Sequence, residues 1–214
     1  MRNMVIIGSL AAVLLSGCGP KKLALSSDPV DRAASCAVVS AIEARTTSTE
    51  VKGSLSYAAQ TKIIHYAMLA ASEGGTFSSN IAKSVVDKMS AVEAGISGGK
   101  WQDLQAPCAE AYPAALKTDG IELPKAKFDA QIGCYAMADF LSRSVQGNGP
   151  EGAARNNLYS DLKRKLDSAI GTGLKQRGAS SYEKNQASKD QALAKMTNLG
   201  SPAVVAKLCT DRYS

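Results

Sequence analysis

From residue 28 onward, apolar residues recur every three or four positions, and no stretch sustains a period of two. Val30, Ala33, Ala34, Ala37, Val38, Ala41 and Ile42 form one helical stripe, with Asp28 as the cap and Pro29 in the first turn. A second helix is predicted from about Ser54 to Glu73, carrying Ile63, Ile64, Tyr66, Ala67 and Ala70, with Gly74-Gly75 as its stop. Thr76 is placed to cap a third, whose stripe is Phe77, Ile81, Val85, Met89 and Val92. A fourth holds Trp101, Leu104, Cys108 and Tyr112, with Pro107 forcing a kink or a fresh start.

The remaining chain repeats the plan. Pro124 opens a helix bearing Phe128, Ile132, Tyr135, Phe140 and Leu141 that ends at Gly147-Asn148-Gly149-Pro150. Leu158, Leu162, Leu166 and Ile170 mark the next, which Gly171 and Gly173 are expected to fray or end. A more polar segment spans Ser181 to Leu199, with Tyr182, Leu193 and Met196 inside it. Ser201 then caps Pro202, and Val204, Val205, Leu208 and Cys209 finish the pattern. The expected fold is all-α, in two tandem four-helix units over residues 28–117 and 118–214.

The cysteines support a duplication. Shifting the chain by 98 lays Asp31, Cys36 and Arg45 on Asp129, Cys134 and Arg143, and Val30, Ala34 and Ile42 on Phe128, Ile132 and Phe140. A shift of 101 lays Cys108-Ala-Glu-Ala-Tyr112 on Cys209-Thr-Asp-Arg-Tyr213. Each half therefore opens on a cysteine-bearing helix and closes on Cys-x-x-x-Tyr. Four cysteines allow three pairings. The repeat favours Cys36 with Cys108 and Cys134 with Cys209, 72 and 75 residues apart, tying the first helix of each unit to its last. Loops of that length contribute at most roughly 4 kcal/mol each on the chain-entropy account, which suits small alanine-rich cores. No two of these cysteines stand at metal-ligand spacing, and His65 is the only histidine, so staples are expected and a metal is not.

The first 17 residues have a different character. Arg2 precedes an apolar run from Met4 to Leu15, and Leu15-Ser16-Gly17-Cys18 closes it with small residues before a cysteine. A basic end, an apolar middle and a small-residue end are the parts of an export signal, and the run is too short to span a bilayer, which takes about 20 residues. The closing tetrad resembles the lipobox of bacterial lipoproteins at all four positions. That resemblance implies cleavage after Gly17, a diacylglycerol thioether on Cys18 and a further acyl chain on the new amino terminus. Gly19 at the next position implies the outer membrane. Residues 18–27 then read as the lipidated cysteine and a short tether; Gly19 to Ser27 reaches about 30 Å when extended, which keeps the folded body beside its membrane.

Charge and candidate chemistry add little. Cys18 to Asp119 carries ten Lys/Arg and ten Asp/Glu, whereas Gly120 to Ser214 carries fourteen and nine, so the basic excess of the exported chain lies in its second half. Arg155, Lys163, Arg164, Lys165, Lys175, Arg177, Lys184 and Lys189 are spread around their helices, which favours a solvated surface over an anion site. Gly95-Ile-Ser-Gly-Gly99 reads as a loop and lacks the frame of a nucleophile elbow, and Gly171-Thr-Gly-Leu-Lys175 lacks that of a phosphate loop. His65 is expected to be packed or superficial, and Trp101 to cover the first staple as a core residue.

No catalytic residue is assigned and no cofactor is expected beyond the lipid on Cys18. Export separates the chain from nucleic acid, so none is expected as a partner. The expected role is a non-enzymatic interaction or scaffold subunit, held to the membrane by its lipid and bound to an envelope protein. The alternatives are an inhibitor or immunity lipoprotein directed against a toxin or lytic enzyme, and a carrier of a small ligand.

Overall fold

The computed structural model describes residues 22–48, 53–145 and 149–213. Residues 1–17, expected to be an export signal, lie outside the described residues, as do Cys18, Lys21, Gly147 and Asn148. Within the described residues the chain forms eight α-helices and two 3₁₀ turns, and no strand. No helix among them is long and apolar enough to cross a membrane.

Helix α1 (Pro29–Thr46) starts at the expected cap, where the Asp28 carboxylate accepts from the N–H groups of Val30 and Asp31, both at 2.9 Å. Ser56 caps α2 (Tyr57–Ser72) and Ser78 caps α3 (Ser79–Ser97). A 3₁₀ turn, Trp101–Leu104, runs directly into α4 (Gln105–Ala111). Pro107 thus sits in the first turn of a fresh helix, where no backbone bond needs its missing N–H. A second 3₁₀ turn, Pro113–Leu116, leads out of the first unit. The second unit holds α5 (Lys127–Ser144), α6 (Gly149–Gln176), α7 (Tyr182–Thr197) and α8 (Pro202–Tyr213).

The units share one plan. Helices α1 and α5 are both 18 residues long, coincide end to end under the 98-residue shift, and carry Cys36 and Cys134 at the same position. Helix α1 packs on α2, α3 and α4, and α5 packs on α6, α7 and α8. Cys36 is bonded to Cys108 and Cys134 to Cys209, with Cα atoms 5.5 and 5.4 Å apart, and all four residues are buried. Each staple ties the central helix of a unit to its last helix.

Two cores result. The first gathers Ala33, Ala37, Val38, Tyr66, Leu69, Val85 and Leu104; the second gathers Ile132, Met137, Leu141, Leu162, Leu166, Leu193, Met196 and Val205. Helix α2 serves both. Tyr66, Ala67, Leu69 and Ala70 face the first core, while Met68 and Ala71 join the second, and α2 packs on α7 and α8 as well as on α1 and α3. Every residue from His65 to Ser72 is buried for that reason.

Several local expectations are corrected by this packing. Phe77 does not belong to α3: it precedes the Ser78 cap, its N–H donates to the Asp190 carbonyl of α7 at 3.1 Å, and its ring meets Phe140 edge-on. Ile81, assigned to the same stripe, is exposed. Gly95, Ile96 and Ser97 form the last turn of α3, so the loop begins only at Gly98. Pro124 does not open α5, which starts at Lys127; Ile121 and Leu123 pack against the second core from the irregular segment before it. Gly171 and Gly173 do not end α6, which runs on to Gln176 before Gly178 turns with φ +73°. Gly173 is present for contact: a Cβ there would lie 2.0 Å from the Phe128 ring. Leu158 is exposed, and Tyr159 takes its place in the core.

Candidate functional site

Of the residues singled out for chemistry, the structure turns most into architecture. Trp101 opens the 3₁₀ turn before α4 and packs, half-buried, against the first core. The basic residues of the second half are largely engaged nearby. Lys163 pairs with Asp139 at 3.0 Å, Arg164 with Asp161 at 2.9 Å and Arg177 with Asp129 at 2.9 Å. Arg155 stacks on Tyr57 and Lys189 on Tyr135, 3.8 and 4.7 Å from the ring centroids. Among the described residues no three His, Cys, Asp or Glu side chains gather as a metal site would require.

His65 lies in the middle of α2 and is fully buried. Its Nε2 is 2.8 Å from the Thr197 carbonyl at the end of α7, so the imidazole joins the two units. A carbonyl can only accept, so Nε2 carries the proton and Nδ1 is left as a bare acceptor. Burial disfavours the charged ring and outweighs the bond to Thr197, lowering the pKa to about 4. The histidine is therefore neutral at physiological pH. At the start of the same helix, the Tyr57 and Tyr159 hydroxyls are hydrogen-bonded to each other, a further link between α2 and α6.

The surface feature that distinguishes the molecule lies where the units meet. A groove with a cavity volume of about 680 Å³ runs between the start of α3, the end of α5 and the first half of α7. Ile64, Phe77 and Phe140 give it an apolar floor, the two rings edge-on with centroids 5.2 Å apart. Val86 of α3 and Tyr182 of α7 line it while 42% and 78% exposed, which extends the apolar floor to the surface. Lys83, Arg143 and Asp190 supply the polar rim; Lys83 is paired with Asp87, Arg143 with Asp139, and Asp190 accepts from Gln186 at 2.8 Å. The groove thus combines an apolar floor with a polar rim whose charged groups are paired with neighbours.

The groove is not visible as a site in the sequence, because Phe77 has the spacing of the α3 stripe and Tyr182 falls in a polar segment with no sign of a partner across the units. Comparison of the chain with protein-family models, with curated proteins and with solved structures finds no match.

Proposed function

We propose that this protein is a lipid-anchored envelope lipoprotein that acts by binding another envelope protein, receiving an amphipathic helix of that partner in the groove between α3, α5 and α7. The single observation that carries the reading is the exposure of Val86 and Tyr182 above the Phe77–Phe140 floor. Apolar side chains at such a place gain by being covered, and a channel between helices suits a helix that lays down one apolar face. The Cys134–Cys209 disulfide supports the role by fixing α5, one wall of the groove, to α8 before a partner arrives, which lowers the ordering cost of association. The Leu15-Ser16-Gly17-Cys18 tetrad supports the anchor, and the short tether keeps the groove close to the membrane.

The test is affinity isolation of the natively lipidated protein from cross-linked envelopes, set beside a Val86→Asp, Tyr182→Ala variant. A stoichiometric envelope protein recovered with the wild type and lost with the variant supports the docking reading. Equal recovery with both places the interface elsewhere. Cys18→Ser tests the anchor separately: the protein is expected to leave the membrane fraction, and retention there contradicts lipidation.

A further inference from the structure

Two ion pairs set the register of α1 against α2. Arg32 meets Glu73 at 3.1 Å and Lys62 meets Glu43 at 3.0 Å, so the helices run antiparallel and residues whose numbers rise on one helix fall on the other in step. One turn from the Glu43–Lys62 pair, this register sets Ser40 level with His65. Both residues line one cleft of about 410 Å³ between α1, α2, the Pro113–Leu116 turn and the start of α8. Ser40 is 3% exposed and His65 0%. Ser40 Oγ and His65 Nδ1 are both buried and both without a hydrogen-bond partner. Buried polar atoms are nearly always paired, and two orphans on one level of one seam mark a place that a third group completes.

The chemistry of that third group follows from the two atoms. His65 Nδ1 is a bare acceptor and needs a donor; Ser40 carries a hydroxyl that can donate or accept. A hydroxyl carries both functions, a proton for Nδ1 and a lone pair for Ser40 Oγ–H. The surrounding walls are Ala44, Ala58, Ala59, Ala115 and Pro202, small and apolar. The charges at the rim, Glu43 and Lys62, already satisfy each other, so no ionic group is called for. Leu116, 50% exposed, lines the same cleft and also borders a neighbouring cleft of about 390 Å³. The volume and the few placed polar groups are those of small-molecule sites.

We propose that this seam binds a small neutral apolar molecule bearing one hydroxyl, of the phenol or alcohol class, with the hydroxyl held between Ser40 and His65 and the body along the alanine walls. The site is separate from the groove and stands whether or not a protein docks there.

The test uses phenol as the probe and the detergent-solubilised full protein labelled with ¹⁵N-histidine. His65 is the sole histidine, so one pair of ring-nitrogen signals reports the site. Phenol is expected to move the Nδ1 signal saturably toward its hydrogen-bonded position while the Nε2–H signal stays. Toluene, the same ring without the hydroxyl, is expected to bind about tenfold more weakly or worse, and Ser40→Ala to weaken phenol by about fivefold to tenfold without lowering the melting temperature. An Nδ1 signal already at the hydrogen-bonded position and unmoved by phenol means an ordered water only, and overturns the proposal. Equal binding of toluene, or no saturation, overturns it as well.

Discussion

Helices α2 and α6 hold the same place in their units and have opposite surfaces. Each packs beside the central cysteine-bearing helix, α1 or α5. Beyond that the roles part. Helix α2 also lies against α7 and α8, so its sequence from Ile63 to Ala71 carries no charge, the buried His65 being neutral. Helix α6 does not pack in the same way on α3 or α4 among the described residues, and it wears Asp161, Arg164, Lys165 and Asp167 on its exposed side. The duplicated plan is therefore joined head to tail: the second helix of the first unit is an interior element, and that of the second is a cap. Repeat architectures end in such polar caps because a continuing apolar face would recruit further copies.

The comparison can be broken first with large-to-small changes. Met68→Ala, at a fully buried position in α2, is expected to cost about 2–5 kcal/mol. Leu158→Ala, on the exposed side of α6, should cost less than about 1 kcal/mol. Urea unfolding of the two variants measures both, and similar losses would remove the distinction between an interior helix and a cap.

Acid provides the next test. Folded His65 has its pKa lowered to about 4 from an ordinary 6.5, so between those values the unfolded chain binds more protons. The stabilisation by neutral His65 is complete above about pH 6.5, declines as pH falls, and is gone below about pH 4. The shift corresponds to on the order of 3 kcal/mol. His65→Gln keeps an amide donor for the Thr197 carbonyl and removes the titration. Urea midpoints at pH 7 and pH 4 should therefore fall less in this variant than in the wild type; equal declines would show that burial of this ring does not set the acid response.

The glycines of α6 give the smallest and most local effects. Gly173→Ala is expected to destabilise by about 1–3 kcal/mol, because its Cβ would strike Phe128. Gly171→Ala meets nothing within 4 Å and should stabilise by about 0.5–1 kcal/mol through helix propensity. Thermal melts of the pair, two residues apart on one helix, separate contact from propensity.

These same residues show what was legible beforehand. Helix periodicity, the Asp28 cap and the nearly equal cysteine spacings of 72 and 75 residues act locally or through one repeated unit, so all-α architecture and both disulfides could be read from the chain. Gly171 and Gly173 were expected to fray or end their helix because propensity is a weak local preference; the Phe128 ring that occupies the space beside Gly173 comes from 45 residues earlier. Phe77 was placed in the stripe of α3 because it has the right spacing, yet its partner Phe140 belongs to the other unit. The Ser40–His65 seam depends on the register between α1 and α2, which neither helix encodes alone. The interior face of α2 was half visible: Ile63, Ile64, Tyr66, Ala67 and Ala70 exceed the width of a single stripe, the mark of a helix covered on more than one side.

The central claim is that α2 belongs to both units. Native-state hydrogen exchange on the wild type and on Met68→Ala tests it most directly. The account predicts that weakening α2 lowers amide protection in α1 and in α5 and α8 by the same amount, because both cores lose the same shared helix. Protection lost in α1 to α3 alone, with α5 to α8 at wild-type values, would contradict it and show two units that stand independently.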